Sequence, residues 1–212
     1  MASVCSAKCF SSRAWHTARC SALSQVFTEL AKAIRVGDGL LPDTTMGPLN
    51  NPRQLQVVRD MIQQARERGA DVREFGAVPD PALYRQGHFQ RPTLVFDPDP
   101  SLDVVREEQF GPVLPILPFD TQEQGIALAN DSRFALCSSV WTADPERAMA
   151  VARQLEAGYT YLNGHGPLAQ DNRAPYGGFK DSGFGRNLGF QGIEGFLSPH
   201  SISAPAGWLH KA

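Results

Sequence analysis

The feature that most constrains the fold is an alternation of helically spaced apolar residues with short apolar runs, punctuated by glycine and proline. Helical spacing predicts four helices, over 23–34, 51–69 and 121–129, and from Asp144 to the glycine at 158. Short apolar runs predict four strands, over 93–96, 113–119, 138–141 and 159–163. Strands that alternate with helices are typical of crossover connections in a parallel sheet. We therefore expect an α/β fold, with a mostly parallel sheet flanked by helices.

The spacing of apolar residues also predicts which helix faces are buried. The expected apolar stripes are Leu23, Val26, Phe27, Leu30 and Ile34 in the first helix, Leu55, Val58, Ile62 and Ala65 in the second, and Met149, Ala152 and Leu155 in the fourth. Prolines at positions 112, 115 and 118 indicate a sheet edge or the ends of a strand, because proline donates no backbone hydrogen bond.

A glycine-rich segment, "APYGGFKDSGFGRNLGFQG", occupies residues 174–192. Its spacing G-x-G-x-x-x-G from Gly183 to Gly189 is one residue longer than a dinucleotide fingerprint, and no Lys-Ser/Thr follows as in a P-loop. No clear strand leads into it, so a phosphate-binding loop is excluded. A close crossing of backbone segments, which only glycine permits, is the remaining interpretation.

The composition excludes several classes of partner. The chain has 212 residues, a formal net charge of −2 and 42% hydrophobic residues, so it lacks the electrostatic signature of a nucleic-acid or anionic-membrane binder. No apolar run approaches the roughly 18 residues that predict a membrane span. The four cysteines follow no apolar signal core, which favours reduced thiols and a cytoplasmic location.

The first 28 residues are basic, rich in serine and alanine, and free of acidic residues. This composition suits a mitochondrial transit peptide. Cys5, Cys9, His16 and Cys20 also form a C-x3-C-x6-H-x3-C set, although this spacing matches no standard zinc site, and we expect no metal. A third interpretation comes from motifs in the remainder of the chain.

Six motifs in order along the chain resemble the C-terminal, catalytic half of the aldehyde dehydrogenase superfamily. They are "GDGLLPDTTMGPL" (37–49), "GHFQRPTLV" (87–95), "REEQFGPVLPILPF" (106–119), "IALANDS" (126–132), "LEAGYTYLN" (155–163) and "APYGGFKDSGFGRNLG" (174–189). The resemblance covers roughly residues 21–204. It divides the chain into a divergent segment (1–20), a catalytic domain (21–194) and an oligomerisation strand with a tail (195–212).

The family's first half carries the main nucleotide-binding domain, a general-base glutamate and an asparagine that donates to the oxyanion. None of these has a counterpart in these 212 residues. The resemblance therefore implies NAD or NADP as cofactor, with the main nucleotide-binding domain absent from this chain.

Cys5 is the candidate nucleophile implied by the resemblance. It lies 32 residues before Gly37, close to the separation between the family's catalytic cysteine and the matching Gly-Asp pair. The alternative is an inert terminal thiol. The stretch from Lys8 to Ala22 departs from the family's sequence pattern, which would place a strand and the start of a helix there.

The resemblance also implies roles for five residues. Glu108 would accept hydrogen bonds from the nicotinamide ribose, and Phe110 would form an apolar wall beside the nicotinamide. Asn163, His165 and Tyr176 would face the aldehyde. Without the resemblance, Glu108 is more simply one of a solvated acidic pair, and His165 an exposed loop histidine. Asn187 stands where the family usually has glutamate.

Two functions follow from the resemblance. The first is NAD(P)-dependent oxidation of an aldehyde to a carboxylic acid through a cysteine thiohemiacetal and thioester, with these residues not competent alone. The second is a non-catalytic remnant or oligomerising fragment. The expected partners are a small aldehyde and either further copies of the chain or a separately supplied N-terminal half. The segment "GFLSPHSISAP" is expected to be the strand that pairs with a neighbouring subunit.

Overall fold

The computed structural model describes residues 9–12 and 16–208, with side-chain environments from Ser24 onward. The helices are α1 (His16–Lys32), α2 (Pro52–Glu67), α3 (Pro81–Gln86), α4 (Asp103–Arg106), α5 (Gln122–Asn130), α6 (Pro145–Ala152) and α7 (Gly189–Glu194). The strands are β1 (Cys9–Ser12), β2 (Asp71–Glu74), β3 (Thr93–Phe96), β4 (Val113–Phe119), β5 (Phe134–Ala135), β6 (Cys137–Val140), β7 (Tyr159–Leu162) and β8 (Phe179–Lys180). All four predicted helices and all four predicted strands are present, although α1 begins earlier and α6 ends earlier than predicted.

The largest sheet has four strands in the order β1-β4-β3-β2. β4 pairs in parallel with both β1 and β3, and β2 adds an antiparallel edge. A second, two-stranded parallel sheet joins β6 to β7, and β5 pairs with β8 in antiparallel orientation. The α/β fold with mostly parallel pairing is confirmed.

Helix α2 carries the main core. Asn51 caps it by accepting a 2.8 Å hydrogen bond from the Gln54 backbone N–H, and Pro52 occupies the first turn, as predicted. The predicted stripe is buried, with Met61 in addition. Val58, Ile62 and Ala65 belong to a cluster that also contains side chains of β3, β4 and α4.

The position of β4 corrects the interpretation of its prolines, because β4 is a central strand. The Thr93 N–H donates to the Pro112 carbonyl, so even-numbered residues of β4 direct their backbone groups toward β3. Pro115 therefore faces the β1 side, where the described pairing includes Ile116 opposite Cys9. Pro118 faces the β3 side, where pairing has ended at Ile116. The missing N–H of Pro118 therefore points to a place where β3 no longer pairs with β4.

The N-terminal part of the fold corrects a second expectation. Although residues 8–22 depart from the family's sequence pattern, β1 and the start of α1 supply the strand and helix that the pattern would place there. The buried face of α1 differs from the predicted apolar stripe, since Val26 and Leu30 are exposed.

Two further expectations are wrong in detail. Helix α6 buries Ala148 and leaves Met149 exposed, because the Asp144 cap sets its start and hence its phase. The helix ends at Ala152, before Leu155. Residues 197–208 form no helix or strand in the described chain, so the expected C-terminal strand is not formed by the single chain. Its pairing with another subunit stays a prediction.

The glycine-rich segment crosses the chain immediately before β7. A Cβ on Gly158 would overlap the carbonyl oxygen of Gly177, and a Cβ on Gly178 would lie 2.6 Å from that of Ser182. Gly189 has φ of 57°, and its Cβ would lie 2.7 Å from the Arg173 carbonyl oxygen. These approaches are the glycine-dependent backbone crossing that the sequence indicated.

We expect Gly158→Ala to lower the free energy of unfolding by at least about 3 kcal/mol, because the methyl group would collide with backbone that cannot rotate away. Chemical denaturation of the purified chain measures this. Gly39→Ala is the matched control, since a Cβ there meets nothing within 4 Å, and it should change stability by less than about 1 kcal/mol. Equal stabilities for the two variants would contradict the crossing.

Candidate active site

The loop between α4 and β4 carries the two residues expected to face a nicotinamide cofactor. Between them lies Gln109, which is 1% exposed. Its side-chain Nε2 donates to the Val104 carbonyl at 2.6 Å, and its own carbonyl accepts a 2.7 Å hydrogen bond from Gln54 Nε2. The loop is therefore tied to both α4 and α2.

Phe110 follows this anchored residue with a left-handed backbone (φ 42°), a conformation unfavourable for a bulky side chain. Its ring is 56% exposed. The next residue, Gly111, lies so close to α2 that a Cβ there would be 2.5 Å from a methyl group of Val58. The backbone thus presents an aromatic ring outward from a fixed position.

Glu108 is half-buried, on the other side of Gln109. Burial raises the pKa of its carboxyl group, the positive charge of Arg133 opposes that rise, and the negative charge of Glu107 adds to it. Arg133 also forms an ion pair with Glu107 at 3.4 Å. A poorly hydrated carboxylate of this kind gains from hydroxyl donors such as those of a ribose.

Asn163 follows β7 with a left-handed backbone (φ 49°). Its side-chain oxygen accepts from the Thr142 N–H at 2.9 Å, and its Nδ2 donates to the Thr142 carbonyl at 2.8 Å. The amide thus joins the ends of β6 and β7. These contacts fix the start of the loop, while the substrate contact that the resemblance implies for Asn163 stays a prediction.

Aromatic side chains bring the other two expected substrate residues together. The Tyr176 ring lies 5.8 Å from that of Tyr159, and the His165 ring lies 5.2 Å from that of Tyr161, between ring centres. Tyr159 and Tyr161 are themselves 4.6 Å apart. Burial lowers the pKa of the His165 imidazole, which favours its neutral form. The surface they form is mainly apolar, with polar edges.

Backbone and side-chain contacts hold this aromatic group in place. Tyr176 exchanges two 2.7 Å backbone hydrogen bonds with Asn187. The Tyr159 hydroxyl accepts from the Asp171 N–H at 3.1 Å. Asp171 in turn binds the Arg173 guanidinium, which lowers the pKa of the Asp171 carboxyl group to about 2. The loop after β7 is therefore fixed at both of its ends.

The expected site residues thus form two groups. Asn163, His165 and Tyr176 lie around β7, whereas Glu108 and Phe110 lie on the loop before β4. Arg133 connects the two groups, because it pairs with Glu107 and, at 3.6 Å, with Asp181 of the glycine-rich segment. Cys5 lies outside the described residues. Within the described ranges, no three side chains of histidine, cysteine, aspartate or glutamate gather as a metal site, and no helix is long and apolar enough to cross a membrane.

Sequence reasoning missed Gln54, Gln109 and the tyrosines of β7. Nothing in the local sequence distinguishes the two glutamines from surface residues, since their partners are remote in the chain. The tyrosines did have a signal. In "YTYL" they occupy alternate positions of a strand, which places both rings on one face.

The family model described as "Aldehyde dehydrogenase family" matches residues 8–202. The chain belongs to the aldehyde dehydrogenase family. A probable NADP(+) succinate-semialdehyde dehydrogenase of Synechocystis sp. is 39% identical over 84% of this chain and 38% of its own length. The human 4-trimethylaminobutyraldehyde dehydrogenase is 36% identical over 84% of this chain and 36% of its own.

Solved aldehyde dehydrogenases have the same fold. The NAD+ complex of the Mycobacterium tuberculosis enzyme superimposes with a TM-score of 0.83 at 34% identity, covering 94% of this chain and 39% of that one. A variant of aldehyde dehydrogenase C from Pseudomonas syringae, complexed with NAD+ and octanal, gives 0.80 at 34% identity, covering 90% and 39%. The chain thus spans less than two fifths of the length of these relatives.

We expect Arg133→Ala to raise the pKa of Glu108 further, because it removes the positive charge that favours the ionised carboxylate. A pH titration followed by carboxyl ¹³C NMR measures this directly. Arg68→Ala serves as control, since Arg68 is not one of the charges that act on Glu108. An unchanged or lower Glu108 pKa in Arg133→Ala would show that the two groups do not interact.

Proposed function

We propose that these residues form the catalytic portion of an NAD(P)-dependent aldehyde dehydrogenase, which oxidises a small aldehyde to a carboxylic acid. The observation that carries the proposal is the anchored loop at Gln109, which presents a carboxylate and an aromatic ring within a chain that matches the family over residues 8–202. Because the chain spans under two fifths of the length of its relatives, we assign the activity to these residues together with a nucleotide-binding portion, and not to these residues alone.

Glu108 and Phe110 have the chemistry that a nicotinamide nucleotide requires. The Glu108 carboxylate would accept hydrogen bonds from ribose hydroxyls, and the exposed Phe110 ring would cover the nicotinamide and exclude water. When bound, NAD or NADP supplies the hydride acceptor of the oxidation. The relatives support either nucleotide, since one is named for NADP(+) and others were solved with NAD+.

Cys5 is the proposed nucleophile. Its thiolate would add to the aldehyde carbon to form a thiohemiacetal, and loss of a hydride from that carbon gives a thioester, which water hydrolyses to the acid and the free thiol. The thiol must ionise near neutral pH, so its pKa must lie below the ordinary value of about 8.5. The oxyanion and the attacking water need a hydrogen-bond donor and a general base, which the resemblance assigns to the family's first half.

The aromatic group around β7 is the proposed aldehyde-facing surface. Tyr176 and His165 contribute its apolar faces, and Asn163 acts through Thr142 by fixing the loop between them. A neutral imidazole suits a site for an uncharged carbonyl compound, because it adds no charge that must be desolvated.

A fusion of the nucleotide-binding portion of the Mycobacterium tuberculosis relative to this chain tests the activity. We expect aldehyde-dependent NADH formation, and a loss of about 1,000-fold or more in Cys5→Ser, because the covalent step cannot proceed. Cys137→Ser is the matched control, with activity within about threefold of the wild type. These 212 residues alone should form no measurable NADH, because both an oxyanion donor and a general base are lacking.

Two outcomes would contradict this proposal. A folded fusion that binds NAD+ but oxidises no aldehyde would favour the non-catalytic alternative, in which the chain keeps the fold and the association surface only. Activity that survives Cys5→Ser would reject Cys5 as the nucleophile while leaving the family activity in place.

The same assembly is expected to be oligomeric. Large apolar side chains between 184 and 208 are strongly exposed, namely Phe184, Phe190, Ile193, Phe196, Leu197, Ile202 and Trp208. Exposed large apolar side chains in such number are typical of a segment that contacts another protein surface. An unpaired segment can also add a strand to another chain. We propose that residues 195–208 contact either a second copy of the chain or a separately supplied N-terminal half.

Light scattering of the chain at increasing concentration should therefore give masses above the 23.1 kDa monomer. The double variant Phe196→Ser, Ile202→Ser should shift the distribution toward the monomer by removing apolar contact surface. Leu168→Ser is the control, because Leu168 is 104% exposed but lies outside the C-terminal segment. A wild-type chain that stays monomeric throughout the series would contradict self-association.

A further inference from the structure

Gln109 is a buried polar residue between the two residues proposed to face the cofactor. Only 1% of it is exposed, and its Nε2 donates to the Val104 carbonyl at 2.6 Å. Val104 lies within α4, which has only four residues. If the amide were lost, the Val104 carbonyl would be left buried without this donor, and such groups are costly.

Gln54 holds the same residue from the opposite side. Its Nε2 donates to the Gln109 carbonyl at 2.7 Å, and its backbone N–H is fixed by the Asn51 cap at 2.8 Å. Gln54 therefore reaches the loop from the first turn of a helix whose position is set by the main core. The side chain and the backbone of Gln109 are thus anchored to different helices.

The next two residues show why this anchoring matters. Phe110 has a left-handed backbone, which an aromatic residue adopts only when its surroundings impose it. Gly111 then packs directly on Val58 of α2. The unfavourable conformation is therefore held between two fixed points, Gln109 before it and Gly111 after it. Releasing the first point would let Phe110 relax to an ordinary backbone conformation and turn its ring away.

We propose that Gln109 and Gln54 are positioning residues that hold Glu108 and Phe110 in the geometry required for the nicotinamide nucleotide. Neither glutamine needs to touch the nucleotide, since both act through the loop backbone. The inference rests on the proposed function, because it assumes that Glu108 and Phe110 face the cofactor. Its physical basis is preorganisation, which lowers the entropy that binding must remove.

Three variants with the same substitution separate this role from a general effect on stability. Gln109→Met and Gln54→Met remove one donor each and keep the length of the side chain. Gln56→Met is the matched control, because Gln56 lies on the same helix and loses only an exposed hydrogen bond to Asp60.

The first measurement is limited proteolysis of the 212-residue chain with thermolysin, which cuts before large apolar residues. We expect the bond before Phe110 to be cut about tenfold faster in both loop variants than in the wild type, because each lost hydrogen bond raises the open population by that order. Cutting before Phe184 and Phe196, which are fully or almost fully exposed, serves as the internal reference. It should change in none of the variants. Unchanged cutting before Phe110 would overturn the proposal.

The second measurement is the dissociation constant of NAD+ for the fusion described above, followed by quenching of protein fluorescence without aldehyde. We expect it to rise about tenfold in Gln109→Met and Gln54→Met and to stay the same in Gln56→Met. Faster proteolysis with unchanged NAD+ affinity would show a purely structural role and overturn the proposal. A folded wild-type fusion that does not bind NAD+ would instead overturn the proposed function, and this inference with it.

Discussion

The packing of α2 on the central strands is the constraint on which the loop carrying Glu108 and Phe110 depends. Val58 illustrates the connection, because it is fully buried against the sheet and also contacts Gly111 of the loop. One turn earlier, Gln54 reaches Gln109 from the same helix. The apolar stripe of α2, which stabilises the fold, therefore also fixes the position of the loop between α4 and β4. A helix rotated by one residue would keep an apolar face but would lose both contacts.

A different constraint governs the aromatic side of the site. Gly158 lies against Gly177, so the glycine-rich segment crosses the chain at the residue immediately before β7. β7 then places Tyr159 and Tyr161 on one face, and the Tyr176 ring packs at a tilt against the ring of Tyr159. Because the crossing excludes any side chain, the distance between β7 and the segment is fixed by backbone contact. Such a contact leaves less freedom than the packing of flexible side chains would.

Local spacing predicted the types of the main elements and the buried face of α2, but it did not predict the contacts between residues remote in the chain. The α2 stripe and its Asn51 cap follow from spacing within one helix, and both are present. The prediction that its prolines place β4 at a sheet edge failed, because that prediction considered β4 without its neighbouring strands. Pro118 is acceptable in a central strand because β3 has stopped pairing two residues earlier. Where that pairing ends is a property of two strands and cannot be read from β4 alone.

The candidate site shows the same difference between what local sequence and what remote contacts determine. Glu108, Phe110 and Tyr176 could be selected from motifs, but the role of Gln109 depends on Gln54, which is 55 residues away. The direct substrate contact implied for Asn163 likewise did not anticipate its bonds to Thr142, 21 residues away. A polar side chain in a loop has the same local signature whether it faces solvent, a ligand or a backbone group of another element. Only the fold distinguishes the three cases.

Arg133 joins the two sides of the site, yet it does not determine their relative position. Its ion pairs with Glu107 and Asp181 are long, at 3.4 and 3.6 Å, and its side chain is 59% exposed. Exposed pairs of this kind contribute at most about 1 kcal/mol and are weakened by salt. Each side is positioned more firmly by its own packing, by the buried stripe of α2 on one side and by the close approach of Gly158 to Gly177 on the other. The effect of Arg133 is therefore electrostatic, since its charge favours the ionised form of Glu108 while buried packing sets where that carboxylate lies.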